Sequence, residues 1–241
     1  MYLMTQMIVT VIISLVLSLI SYKLKLLTRD GTIATFAVGS IVGIFSSPAW
    51  FILLIIFTTS GLVATKINFK MKIRDGLQEG KHGERTHRNV LGVGIPPCTI
   101  AVLAWLLNGQ YDFEMGIAFI STMTVAAADT ISSEIGVKDK RVWLITTFKR
   151  VEAGVNGGIS VLGTVSSFAI SILVGIIGWL LIFQTIDVYV IIPVIAGMVG
   201  NFMDSIFGAT LEDSGYISKY TNNCSTALIG AAFSILIICF L

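Results

Sequence analysis

Residues 188–212 read VYVIIPVIAGMVGNFMDSIFGATLE, a stretch that is long and apolar enough to cross a bilayer and yet contains Asp204. A spanning helix needs about 20 mostly apolar residues. An ionised side chain inside one costs roughly 2.5–3.5 kcal/mol unless it is paired or hydrated. On a helix the polar and small residues form one stripe, at i, i+3, i+4, i+7 and i+11: Asn201, Asp204, Ser205, Gly208 and Glu212. We predict that this stripe is functional; a structural contact between helices is the alternative.

The rest of the chain is equally apolar, with 55% hydrophobic and 12% charged residues out of 241, against about 25% charged in soluble domains. The apolar runs are 3–22, 32–47, 49–65, 90–107, 115–128, 161–183, 188–210 and 225–241. The run 115–128 is short and spans the membrane only if it includes Asp129. Pro96–Pro97 should bend or break the fourth run. The sequence therefore predicts an all-α, polytopic transmembrane helix bundle of about eight spans, with seven possible, in a single membrane domain, 1–241.

All 16 Lys and Arg residues lie in alternate gaps between these runs. They occupy the gaps 23–31, 66–89 and 129–160, and Lys219 follows the seventh run. Basic residues collect on the cytoplasmic side of membrane proteins. We therefore expect both termini outside, long cytosolic loops at 66–89 and 129–160, and an active site that faces the cytoplasm of a prokaryotic cell. The net charge of +2 is too small to indicate a nucleic-acid partner.

Acidic residues recur at the ends of two apolar runs. Asp129 closes the fifth run, with Ser133 one turn further and Glu134 beside it. We predict that four carboxylates converge at the cytosolic mouth of the bundle, namely Asp129, Glu134, Asp204 and Glu212. Such carboxylates repel each other unless a cation lies among them. Oxygen ligands without a nearby Cys favour Mg²⁺ over Zn²⁺, and His82 and His87 lack a Cys partner.

A third candidate element is the segment 149–160, KRVEAGVNGGIS, in which two cations precede a glycine-rich turn and the apolar run 161–183. Backbone N–H groups at a helix N-terminus attract anions, and Lys or Arg adds charge-assisted hydrogen bonds to phosphate. The predicted phosphate-binding residues here are Lys149, Arg150, Asn156, Gly157, Gly158 and Ser160. The spacing of a Walker A loop is absent. A flexible basic loop is the alternative.

A second cationic pair precedes the fourth apolar run. Arg85 and Arg88 stand at i and i+3 and are followed by Asn89 and two glycines. They could clamp a second phosphate, or they could be ordinary basic residues of a cytoplasmic loop.

Four stretches resemble the integral-membrane family that includes plant phytyl-phosphate kinase: AAADTISSEIG, LITTFKRVEAGVNGGISVLGT, GNFMDSIFGATLE and STALIGA. The likeness runs from about residue 29 to the C-terminus, and a more distant one links the chain to CTP-using polyprenol kinases. The residues that match by position are Asp129, Thr130, Glu134, Lys149, Asn156, Gly157, Gly158, Asp204, Ser205 and Gly208. The chain departs from the family at 88–94, where RNVLGVG replaces a stretch similar to Gln-Val-x-Ala-Asn-Gly.

The resemblance implies a membrane kinase that transfers the γ-phosphate of a nucleoside triphosphate, with CTP favoured, to an isoprenoid monophosphate. Asp129, Asp204 and Lys149 would be catalytic, and Mg²⁺ would be held by the four carboxylates. The partners would be the nucleotide, a prenyl-phosphate lipid and the membrane; a homo-oligomer is possible. The alternatives are a prenyl alcohol kinase, another CTP-dependent lipid-headgroup transferase, such as a cytidylyltransferase or CDP-alcohol phosphotransferase, and a transporter.

Overall fold

The computed structural model describes residues 2–67, 69–74, 76 and 83–241. Part of the predicted loop 66–89, including Lys81 and His82, lies outside the described residues.

The described chain is helical over most of its length. The helices are α1 (Tyr2–Lys23), α2 (Arg29–Phe45), α3 (Pro48–Lys66), α4 (Phe69–Arg74), α5 (His87–Leu106), α6 (Asp112–Gly136), α7 (Val161–Phe183), α8 (Ile191–Phe207) and α9 (Lys219–Cys239). By length and composition, seven helical segments of the described chain can cross a membrane. Helix α2, with 17 residues, lies at the lower limit of a span. The prediction of an all-α polytopic bundle is confirmed.

Helix α6 is the centre of the bundle and contacts α3, α5, α7, α8 and α9. Its middle is fully buried, as at Phe119 and Met123. Small residues on α8 permit this packing, because a Cβ at Gly200 would come within 2.5 Å of Val125. Helix α6 continues to Gly136, so the span that contains the apolar run 115–128 does include Asp129, as the sequence predicted.

The segment predicted as a loop at 129–160 is more ordered than expected. Its first residues complete α6, and the remainder contains three short strands: β1 (Val142–Leu144), β2 (Arg150–Val151) and β3 (Gly158–Ser160). They form an antiparallel sheet in the order β2-β1-β3, in which Val142 pairs with both Val151 and Ser160. Strands of two or three residues are too short to show an alternating pattern in the sequence.

Of the bend or break predicted at Pro96–Pro97, the break does not occur, because α5 is continuous from His87 to Leu106. Both prolines are buried in the bundle. Proline is tolerated in membrane helices where neighbouring protein groups satisfy the backbone groups that it frees.

Helix α8 ends in a π-helical turn, Gly208–Glu212. Here the glycine-rich turn before β3 lies directly on the helix. A Cβ on Gly157, which has a φ of +73°, would lie 2.4 Å from the Cβ of Ala209 and 2.6 Å from the carbonyl oxygen of Ser205. A Cβ on Gly208 would lie 3.1 Å from the nitrogen of Gly157. The two backbones can approach this closely only because both residues are glycines.

Candidate functional site

A cavity of about 400 Å³ lies at the end of the bundle where α6 and α8 end and α9 begins. Strand β3 and the turn that precedes it form one wall. We call this the polar cavity. All four acids predicted to converge line it, together with most of the other predicted residues: Asp129, Ser133, Glu134, Asn156, Gly157, Gly158, Ser160, Asn201, Asp204, Ser205, Gly208 and Glu212. Residues from α6, the glycine turn and the end of α8 therefore share one site.

The carboxyl groups of Asp129 and Asp204 interact through their side chains in the polar cavity. Helix α9 supports them with two adjacent amides. Asn223 donates from Nδ2 to Oδ2 of Asp129 at 3.2 Å, and Asn222 donates to the carbonyl oxygen of Asp204 at 3.0 Å and to Oε2 of Glu212 at 3.4 Å. In the side chain of Asp204, the carboxylate oxygen Oδ1 is buried and has no hydrogen-bond partner among the described residues.

A buried carboxylate oxygen without a partner is costly, and two adjacent carboxylates require a proton or a cation between them. Within the described residues, no three His, Cys, Asp or Glu side chains are spaced to enclose a metal ion. Mg²⁺, however, is commonly bound by one or two carboxylates, with waters and substrate phosphates completing its shell. The pair Asp129 and Asp204 has the oxygen ligands for that arrangement and could hold Mg²⁺.

Glu134 is occupied in a different way, and its predicted role as a metal ligand is not supported by its contacts. Its carboxylate forms ion pairs with Lys72 of α4 and with Nη2 of Arg85, the latter at 3.0 Å, and accepts a hydrogen bond from the Thr65 hydroxyl at 2.9 Å. The side chains of Glu134 and Lys72 are only 14% and 4% exposed. Two cations therefore neutralise this carboxylate, and it fixes their positions at the edge of the cavity.

Several predicted phosphate-binding residues lie outside the polar cavity. Lys149 and Arg150 are exposed on the β1–β2 hairpin and do not line it. Arg88 is exposed and lies over the ring of Tyr220, 6.0 Å from its centroid. Asn89 forms a capping box with Thr86, whose backbone N–H donates to Oδ1 of Asn89 at 3.0 Å.

The predicted anion site at the start of α7 also differs from expectation. The glycine turn does not lead directly into the helix, because strand β3 lies between them. Helix α7 begins at Val161, and its N-cap Ser160 already accepts the N–H of Gly163 at 3.1 Å. The turn faces α8 instead of extending α7.

The sequence analysis missed the cations that do line the polar cavity, Lys72 and Lys219. It also missed Asn222 and Asn223, although two adjacent amides at the start of an apolar run were a usable signal. Lys219 interacts electrostatically with Asp204. Lys72 carried no signal in the sequence, because its position is set by its contact with Glu134 on another helix.

A second cavity, of about 180 Å³, lies beside the first, and we call it the apolar slot. Helices α1, α2, α3 and α5 supply its apolar walls, with residues such as Leu17, Val38, Phe51, Leu54, Ile55, Phe57, Leu62 and Val93. Its polar end contains Arg85, Asn89, Thr130, Tyr220 and Asn223. Four residues line both cavities: Asp129, Ser133, Glu134 and Lys219. These four form what we call the shared wall.

This fold and this site define a polytopic helical membrane protein with an acid-lined cavity at one end of the bundle. The chain belongs to the family described as integral membrane protein DUF92, whose model matches residues 12–233. The relation to the integral-membrane family suggested by the sequence motifs is thereby confirmed.

Three relatives illustrate this family. An uncharacterized membrane protein of Methanocaldococcus jannaschii is 31% identical over 97% of this chain and 95% of its own length. Protein VTE6, chloroplastic, of Arabidopsis thaliana is 31% identical over 82% of this chain, but the match covers 60% of that protein. Protein PGR of the same plant is 33% identical over 88% of this chain and 81% of its own length. No solved structure matches the chain.

Proposed function

We propose that this protein is a membrane-embedded kinase that transfers the γ-phosphate of a nucleoside triphosphate to an isoprenoid monophosphate and so forms the diphosphate. The observation that carries the proposal is the contact between Asp129 and Asp204 in a polar cavity that adjoins an apolar slot. Oxygen ligands suit a nucleotide-bound Mg²⁺, and an adjoining apolar slot suits a lipid. The resemblance of the motifs to the family that includes phytyl-phosphate kinase supports the same activity, with CTP as the favoured donor.

The acceptor needs no general base in this reaction. A phosphate monoester has its second pKa near 6, so at neutral pH its oxygen already carries the charge of a nucleophile. That oxygen attacks the γ-phosphorus, the bond from the γ-phosphorus to the β,γ-bridging oxygen breaks, and the nucleoside diphosphate leaves with the electron pair. The difficulty is to bring two polyanions together, so positioning and charge neutralisation carry most of the rate.

The residues of the polar cavity divide this task. Asp129 and Asp204 would hold Mg²⁺, which when bound would neutralise charge on the nucleotide phosphates. Asn222 and Asn223 keep the acidic residues in place through their amide groups. Lys219 lines the cavity and supplies positive charge near the transferred group. With an alcohol as acceptor, Asp129 would instead have to accept the hydroxyl proton.

The membrane orientation belongs to the same proposal. The polar cavity lies at the helix ends and is lined by Lys72 and Lys219, and Arg85 lines the adjoining apolar slot. By the tendency of basic residues to remain in the cytoplasm, we place this end at the cytoplasmic face of a prokaryotic membrane, with both termini on the other side. Nucleoside triphosphates are available on that face.

The test is incubation of the purified protein with Mg²⁺, each of the four common nucleoside triphosphates, and a panel of prenyl alcohols and prenyl monophosphates. We expect prenyl diphosphate and nucleoside diphosphate in equal amounts. Asp204→Asn should abolish the reaction while the protein remains folded in detergent, because it removes one of the two carboxylates that would hold Mg²⁺. Asp213→Asn is the matched control, since Asp213 is exposed and lines neither cavity.

The products distinguish the alternatives. Release of pyrophosphate or CMP would indicate a different headgroup transferase, and transfer to alcohols alone would indicate an alcohol kinase. Flux of substrate into proteoliposomes without nucleotide would indicate a transporter. Full activity of Asp204→Asn would remove Asp204 from the mechanism.

A further inference from the structure

We propose that the apolar slot holds the single hydrocarbon chain of the acceptor and that the acceptor phosphate lies at the shared wall, between Arg85 and Lys219. This inference rests on the proposed function and specifies where the lipid binds. The donor nucleotide then occupies the polar cavity on the other side of the same wall. Transfer takes place across Asp129, which lines both cavities.

The depth of the slot matches one leaflet of a bilayer. Its lining on α3 runs from Leu62 near the polar end to Phe51, which corresponds to about 16 Å of helix at 1.5 Å per residue. The hydrocarbon core of a bilayer is about 30 Å thick. A lipid with its phosphate at the polar end would therefore extend its chain to about the membrane centre without leaving the slot.

The volume of the slot favours one chain over two. Its volume is about 180 Å³, whereas pockets for drug-sized ligands have volumes of about 300–1,000 Å³. Among the hydroxyl groups of its walls, those of Thr35 and Thr58 donate to the carbonyl oxygens of Gly31 and Leu54, both at 2.8 Å, whereas the buried Ser14 hydroxyl has no hydrogen-bond partner among the described residues. A slot of this volume suits one thin hydrocarbon chain, and the paired chains of a diacyl lipid would need more space.

The polar end of the slot has two cations and two carboxylates, and one of the carboxylates, that of Glu134, is already paired with Lys72 and Arg85. Arg85 and Lys219 both line it. Nη2 of Arg85 donates to Thr65 at 2.9 Å and to Glu134 at 3.0 Å, which orients the guanidinium at this end. An Arg side chain has five N–H donors in a planar fork, so it can bond to these groups and to a phosphate. The slot therefore joins an apolar channel to an end at which Arg85 and Lys219 can bind an anion, which suits a phosphorylated single-chain lipid.

Two substitutions at different depths test this assignment. Leu62 and Ile55 both line the slot on α3, and Ile55 is about 10 Å further from the polar end at 1.5 Å per residue. We expect Leu62→Trp to raise the KM for prenyl monophosphates of every length. Ile55→Trp should raise the KM at least about tenfold for long chains, a change of about 1.4 kcal/mol, and leave short chains unaffected. Ile52→Trp is the control, because Ile52 is exposed and does not line the slot.

A photocrosslinking assay provides a measurement that does not depend on turnover. The probe is a prenyl monophosphate with a diazirine at the chain end, bound to wild-type protein and mapped by mass spectrometry. We expect labelled peptides from α2 and α3, and loss of that label in Ile55→Trp; Ile55→Phe replaces this variant if it does not fold.

The outcomes separate this inference from the proposed function. Labelling of α2 and α3 in a protein without kinase activity would overturn the kinase and keep the lipid site. An active kinase whose label lies elsewhere, or whose Ile55→Trp variant shows no dependence on chain length, would overturn the lipid site. Displacement of the probe by phosphatidic acid vesicles, but not by prenyl monophosphates, would replace the single-chain ligand with a diacyl lipid.

Discussion

At the scale of single residues, the informative contrast is between Asp204 and Lys149. An ionised acid inside an apolar membrane helix carries a free-energy cost wherever the helix packs. The sequence alone therefore marks Asp204 as exceptional. A lysine in a loop carries no comparable penalty, and its location depends on how the loop folds. The structure places Asp204 in the polar cavity and leaves Lys149 exposed on a hairpin. Lys219, which the sequence analysis treated only as a topological marker, lines both cavities.

We therefore expect Lys219→Ala to reduce kcat by roughly 10²–10³, the loss typical when one group that stabilises transition-state charge is removed. Lys149→Ala should retain activity close to that of wild type, because its side chain lines neither cavity. The measurement is steady-state turnover of both variants with the preferred nucleotide. A large loss in Lys149→Ala and none in Lys219→Ala would reverse the two roles.

At the scale of secondary-structure elements, the π-helical turn at the end of α8 departs from the sequence prediction. The polar stripe assumed a regular α-helix up to Glu212, whereas the helix changes geometry at Gly208. Such turns often occur at functional sites. This one coincides with the contact between α8 and the glycine turn, so the two elements form the cavity wall together.

Gly157→Ala should test this contact. The new Cβ would meet Ala209 and Ser205 at 2.4 Å and 2.6 Å, in addition to the strain of a φ of +73°. Gly215→Ala is the matched control, since Gly215 has a φ of +75° but no atom of the described residues lies within 4 Å of the position that its Cβ would take. The strain alone costs roughly 1–2 kcal/mol. We expect Gly157→Ala to lower the midpoint of thermal unfolding in detergent by more than Gly215→Ala and to reduce kinase activity.

Equal unfolding midpoints for the two variants would show that the turn does not pack on α8 as described. Loss of activity at an unchanged midpoint would instead indicate that the turn acts only on the substrate.

At the scale of the whole molecule, the bundle collects its polar chemistry at one end. Helix α6 crosses the centre, and α9 begins at the same end at which α6 and α8 finish, so Asp129, Asp204 and Lys219 meet. The segments that precede α2 and α5 also meet at this end, because the N–H of Thr28 donates to the carbonyl oxygen of Arg85 at 3.1 Å. A single site at one face suits an enzyme that takes one substrate from water and the other from lipid.

This asymmetry predicts a sidedness of activity. Added nucleoside triphosphate does not cross a sealed membrane, so inverted membrane vesicles should phosphorylate a prenyl monophosphate and right-side-out vesicles should not. Permeabilisation with detergent should make the two preparations equal. Activity confined to sealed right-side-out vesicles would place the polar cavity on the outer face.

The sequence by itself determined the class of fold and identified acidic residues that line the polar cavity. Apolar length and the cost of a charge in hydrocarbon are local properties of a chain. The spans, the extension of α6 beyond Asp129 and the exceptional position of Asp204 could therefore be predicted. Tertiary structure decided which groups meet. The pairing of Glu134 with Lys72 and Arg85, the support of Asp129 by Asn223 and the position of Lys219 join residues far apart in sequence. Such contacts depend on helix packing, which no local pattern encodes.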